Sequence, residues 1–172
     1  MNPYRSLTAL FFLALPLTAC ETEVPTNAVV VNAYPEVPAG GDLSQRMVIY
    51  KVWWVETLFP DPIAPGVTST EYRSVAEHGV AVVLLAPGWD PASGTPPASL
   101  VVLKSKNILE VHRGGTLQIT VSDETFGGSC AAKQQLPQAD VDFVTERIFP
   151  AEFVNAVYDA RTCTLTPAVA RP

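Results

Sequence analysis

Short runs of β-branched, aliphatic and aromatic residues, each closed by proline, glycine or aspartate, recur along most of this chain and most constrain its fold. Seven such runs stand out, over 28–34, 47–58, 71–75, 79–86, 100–105, 108–112 and 116–122. Regularly spaced strands with turn chemistry between them predict an antiparallel β-sandwich of about seven strands, with an open barrel as the competing architecture. Residues 79–86 (GVAVVLLA) are apolar without interruption, which predicts a strand buried on both faces, although periodicity alone leaves a helix open. Residues 116–122 (TLQITVS) alternate, which points Leu117, Ile119 and Val121 inward. Trp53 and Trp54 are neighbours on a strand and so face opposite sides, one in the core and the other covering the far side or lying under the helix.

The turn at Arg113-Gly114-Gly115 tests the register. A two-residue loop would set Glu110 on the apolar face opposite Ile119. A three-residue loop pairs Val111 with Leu117 and Leu109 with Ile119, and is the predicted form, with Gly115 at positive φ. The other reading is a kink that carries the chain into a second sheet. Residues 137–149 (PQADVDFVTERIF) begin with a proline suited to a first helical turn and space Val141, Val144 and Ile148 on one face. They predict a short amphipathic helix, continued by a turn or two over 151–158. The whole of 28–172 reads as one domain, with this helical appendage at about 137–158.

The segment 108–123 (ILEVHRGGTLQITVSD) is similar to the first strands of cupredoxins and other Greek-key sandwiches. The resemblance covers that segment alone and implies an Ig-like or Greek-key sandwich. A blue-copper centre requires two histidines, a cysteine and usually a weak axial ligand. Here His78 and His112 are the only histidines, and no Cys-x-x-x-x-His run follows Cys130, so no copper or other cofactor is expected.

The first twenty residues have a different character. A single arginine, Arg5, precedes the apolar stretch 7–15, which is too short to span roughly 30 Å of hydrocarbon as a helix. The stretch closes on Leu17-Thr18-Ala19-Cys20, which resembles the lipobox of bacterial lipoprotein precursors. The resemblance implies that residues 1–19 are a signal peptide and that Cys20 is lipidated. It further implies an acylated new amino terminus, with the membrane as a partner through the acyl chains. Each buried CH₂ contributes about 0.8 kcal/mol, so several chains make a durable anchor. In some lipoproteins an aspartate after the cysteine retains the protein at the inner membrane. Glu21 departs from that pattern and favours the outer membrane. Residues 20–27 then form a short acidic tether, whose seven residues after the cysteine reach roughly 23–25 Å when extended.

Three cysteines are present, and assigning Cys20 to lipid leaves Cys130 and Cys163, which an oxidising envelope would be expected to join. Closing that loop should contribute roughly 3–4 kcal/mol on the chain-entropy account. The helical segment would thereby be clipped to the last strand. Removing the leader takes away Arg5 and no acid, moving the formal charge from −6 to −7. An acidic surface repels polyanions, so no nucleic-acid partner is expected.

Candidate chemistry is sparse. His78 falls in a turn and His112 at a strand end, where both read as solvated groups. Ser129 lacks the G-x-S-x-G elbow of a serine nucleophile. Asp61, Asp90, Asp123 and Glu124 lack the ligand spacing of a calcium loop. No catalytic residue and no metal ligand is assigned.

The aromatics offer the positive signal. Two proline-rich loops, 58–66 and 86–97, carry Phe59, Ile63 and Trp89. If strands 47–58, 71–75 and 79–86 run up, down and up, both loops leave from one end. Aromatic anchors on stiff loops lose little entropy on binding, so Phe59, Ile63 and Trp89 form the candidate binding surface. The expectation is an envelope lipoprotein acting as a noncatalytic binding or structural module for a protein or glycan partner. The alternative is a lipid-anchored hydrolase or metal-dependent enzyme, favoured if His78, His112, Asp90 and Glu56 meet in one pocket.

Overall fold

The computed structural model describes residues 26–55, 57–74, 76–126, 156–159 and 161–167. These residues are mostly β. In chain order the strands are β1 (Thr26–Asn32), β2 (Met47–Trp54), β3 (Thr57–Phe59), β4 (Tyr72–Ser74), β5 (His78–Gly79) and β6 (Ala81–Pro87). They continue with β7 (Leu100–Lys104), β8 (Leu109–Glu110), β9 (Thr116–Val121), β10 (Val157–Asp159) and β11 (Thr164–Thr166). They form a three-stranded sheet ordered β4-β1-β9, a six-stranded sheet ordered β10-β11-β7-β6-β2-β3, and a two-stranded ribbon of β5 and β8.

The main core lies where side chains of the two larger sheets meet. Val30, Leu117 and Ile119 from one sheet share it with Ile49, Val52, Trp54, Val83 and Leu85 from the other. The pattern 81–86 behaves as its composition predicts. Ala81, Val83 and Leu85 enter this core, while Val82, Leu84 and Ala86 enter a second cluster on the outer face with Tyr50, Leu100, Val102 and Leu165. The tryptophans divide in the same way, Trp54 in the main core and Trp53 against the outer cluster.

Several expectations are corrected. Residues 47–58 are not one strand: the chain reverses after Trp54, and β3 returns antiparallel beside β2 with Trp54 opposite Thr57. Nothing in the composition marks the turn, because Val55 occupies it at φ 53, a left-handed conformation that β-branched residues rarely adopt. The turn at 112–115 closes with Gly115 N–H donating to His112 O at 2.8 Å, and it is Gly114, at φ 77, that supplies the positive φ. It does not join a hairpin. β8 pairs with β5, and β9 crosses to lie parallel to β1, with Ala28 opposite Leu117 and Val30 opposite Ile119. The sheets are therefore not wholly antiparallel. A parallel pair requires a long connection, and the intervening strands of the other sheet provide it.

At the amino-terminal side, β1 includes Thr26 and Asn27, which the sequence assigned to the tether. Thr26 is buried and its hydroxyl donates to Ser74 O and Ala76 O. The predicted helix over 137–149 lies outside the described residues. Its continuation over 151–158 is corrected where it is described, since Val157–Asp159 is strand, antiparallel to β11. Pairing with β11, itself joined to β7, imposes a period of two and turns Tyr158 toward the outer cluster. Cys163 is buried at 1 % exposure, while Cys20 and Cys130 lie outside the described residues.

Gly79 shows how tightly the turn at Val55 is held. A Cβ at this position would collide with Val55 Cγ2, the end of a stiff branched side chain. Gly79→Ala is expected to lower stability by about 1–3 kcal/mol in urea unfolding, as overpacking does. The penalty should shrink when Val55→Gly is also present; an unchanged penalty would mean that the contact is not its cause.

Candidate functional site

Both proline-rich loops do leave from one end, by a route different from the one expected. β2 is antiparallel to β3 and to β6, so β3 and β6 run the same way and deliver residues 60–66 and 88–99 to the same edge. The loops meet over the start of β2. Between them lies a groove of about 430 Å³ lined by Tyr50, Lys51, Pro60, Pro62, Trp89 and Thr95, with further prolines at 91 and 96.

An irregularity in β2 shapes the groove. The register with β6 steps from Ile49–Leu85 to Lys51–Leu84, which leaves Tyr50 as an extra residue. In an unbroken strand Tyr50 and Lys51 would face opposite sides, with Lys51 on the core side beside Ile49. The bulge lets Ile49 and Val52 both enter the core and places Tyr50 and Lys51 together on the groove. Bulges near sites commonly redirect side chains in this manner.

Trp89 is partly buried and rigidly placed. Its Nε1–H donates to Thr95 O at 2.7 Å, and its ring meets Tyr50 edge-on, with centroids 5.2 Å apart at 76°. Asp90 caps the following turn by accepting from Ala92 N–H at 3.0 Å and lies 3.8 Å from Arg46. Lys51 Nζ sits 5.3 Å from the Tyr50 ring centroid.

Two of the three candidate surface residues are corrected. Phe59 and Ile63 are buried at 1 % and 3 % exposure in the main core. The hairpin folds the 57–63 segment back along β2, so that Phe59 packs edge-on against Tyr72 and Ile63 exchanges both backbone hydrogen bonds with Ile49. Trp89 alone reaches the groove. Tyr50 and Lys51 were missed, because a tyrosine and lysine inside an apolar run read as alternating faces of one strand.

A second, larger cleft of about 690 Å³ brings His78 and His112 together with Glu77, Glu110, Val111 and Thr116. The β5–β8 pairing sets His78 opposite Glu110. Asp90 does not line this cleft and sits instead in the loop after Trp89, Glu56 lies outside the described residues, and Glu77 is held by Arg113 Nε at 3.0 Å. Among the described residues no group of three His, Cys, Asp or Glu could hold a metal ion. Two of the remaining carboxylates named above tie loops together. Asp61 accepts from the Tyr72 hydroxyl at 2.6 Å, and Asp123 accepts from the Tyr34 hydroxyl at 2.8 Å.

Two of the phenols are held strongly neutral. Burial, then the hydrogen bond and charge of Asp123, pushes Tyr34 well above its usual 10.0. Burial and the neighbouring charge of Asp159 push Tyr158 up to about 12. A raised phenol means that the folded protein keeps a proton the unfolded chain releases, so this stabilisation is complete below pH 10.0 and is lost as pH rises toward about 12. The urea midpoint should therefore hold to about pH 10 and then fall. Tyr34→Phe should flatten the fall, and an identical alkaline profile in that variant would remove Tyr34 from the account.

Comparison of the chain with family models, with curated proteins and with solved structures gave no match.

Proposed function

We propose that this chain is a lipid-anchored envelope lipoprotein whose domain is a β-sandwich of the Ig-like or Greek-key kind, and that it works as a noncatalytic binding module. The observation that carries the binding reading is the convergence of the two proline-rich loops on one groove around Trp89, Tyr50 and Lys51. Stiff walls and an aromatic side chain already held in place lower the entropy lost when a partner docks. The lipobox Leu17-Thr18-Ala19-Cys20 supports anchoring at Cys20 and, with Glu21 after it, residence at the outer membrane. The cysteine count supports a Cys130–Cys163 disulfide that fastens the segment after β9 to the turn before β11.

Three measurements test these elements. Palmitate labelling should mark the wild-type protein and vanish in Cys20→Ser; labelling that persists would remove the anchor. Non-reducing peptide mapping should recover a Cys130–Cys163 pair, and a pair involving Cys20 would overturn both cysteine assignments. A photocrosslinking residue at Pro62, in the groove, should trap a partner in intact cells that one at Gln118, on the exposed face of β9, does not. Equal capture at the two positions, or none at Pro62, would end the groove reading.

A further inference from the structure

We infer that the groove takes a sugar ring bearing an anionic substituent, a deduction that rests on the groove being the binding site. Four features of the groove converge on this chemistry.

Trp89 spends its only donor on Thr95 O, so what it presents to a ligand is ring surface. A flat apolar face, such as the C–H side of a pyranose, matches a fixed aromatic ring. The prolines at 60, 62, 91 and 96 carry carbonyls but no N–H, so these four residues can accept hydrogen bonds and donate none. Sugar hydroxyls donate to such carbonyls. An added peptide strand would instead need donors and acceptors in alternation, which proline walls do not offer.

The charge is specific. Lys51 is the cation in the groove, placed there by the β2 bulge, and among the described residues no carboxylate lies in salt-bridge range of it. On a chain of formal charge −6, an ammonium beside an aromatic ring, with no carboxylate of the described residues pairing it, singles out a carboxylate or phosphate on the ligand. Size agrees with this. A groove of about 430 Å³ falls within the roughly 300–1,000 Å³ of small-ligand sites.

The test is calorimetric titration of the full-length protein in detergent with four probes: a hexuronic-acid disaccharide, a hexose phosphate, a neutral disaccharide and an acidic proline-rich peptide. An acidic sugar should bind about tenfold more tightly than the neutral one, consistent with one charge-assisted contact. Which acidic probe binds better distinguishes carboxylate from phosphate as the natural substituent. Lys51→Gln should bring acidic and neutral sugars to the same affinity, and Trp89→Ala should abolish binding of both. Trp89→Phe, which keeps a ring, should restore part of it if Trp89→Ala fails to fold. Equal affinity for neutral and acidic sugars in the wild type, or tighter binding of the peptide, overturns the inference. So does the absence of sugar binding in a protein that still crosslinks at Pro62, a result that leaves the groove as a binding site for another class of partner.

Discussion

Trp54→Ala is expected to destabilise the protein by about 4 kcal/mol, and Trp53→Ala by about half as much, although the two residues are adjacent. Trp54 is fully buried between the two larger sheets and has the largest side chain among the fully buried residues. Its removal leaves a void bounded by strands that cannot close without moving both sheets. Trp53 is only partly buried, on the outer face, where neighbours can settle into the space. Trp54→Phe should cost far less than alanine. Trp54 Nε1 is buried without a hydrogen-bond partner among the described residues, so phenylalanine removes an unsatisfied donor along with some volume. Guanidinium unfolding of the three variants reads this directly. Equal losses for the two alanine variants would contradict the assignment of the tryptophans to different layers.

Asn32→Leu is expected to cost about 3 kcal/mol despite adding apolar volume to a buried site. Asn32 is completely buried, yet its side chain bonds in three directions. Its Nδ2 donates to Met47 O at 2.8 Å and Ile63 O at 2.9 Å, and its Oδ1 accepts from Tyr34 N–H at 3.2 Å. It thus joins the end of β1 to the start of β2 and to the loop that runs beneath the groove. Leucine takes this partner from Met47 O and from Tyr34 N–H, and leaves Ile63 O with only its bond from Ile49 N–H. Asn32→Asp is nearly the same shape but at neutral pH offers no donor and brings a buried charge, so its loss should exceed that of leucine. If aspartate proved harmless, the two donated bonds would not be what secures this junction.

The groove was only partly legible before folding was known. Trp89 could be selected, since a large aromatic among prolines is conspicuous in any sequence. Phe59 and Ile63 were selected on the same ground and are core residues, because a hairpin at Val55 turns their segment inward. No glycine, asparagine or proline announces that hairpin. A valine at positive φ is tolerated there by the packing around it, with Val55 against Gly79, and such tolerance has no local signature. Tyr50 and Lys51 were missed for a related reason. A bulge inserts one residue into a strand, and its position depends on which partner strand sets the register.

What the sequence determined by itself is the local grammar. The runs that became β1, β4, β7 and β9, the inward set Leu117, Ile119 and Val121, the double-sided burial of 81–86 and the opposite facing of the two tryptophans all follow from side-chain periodicity within a few residues. Tertiary structure alone decided which strands are neighbours. β9 could have folded back on β8, a local pairing with low loop-closure entropy. It lies instead beside β1, where Leu117 and Ile119 complete a core with strands more than sixty residues away. Burial of that shared apolar surface outweighs the entropy of closing the longer loop, and only the assembled pair of sheets offers it. The same long-range choice brings residues 60–62 and 89–96 over the bulge in β2, and so makes a groove that no single segment contains.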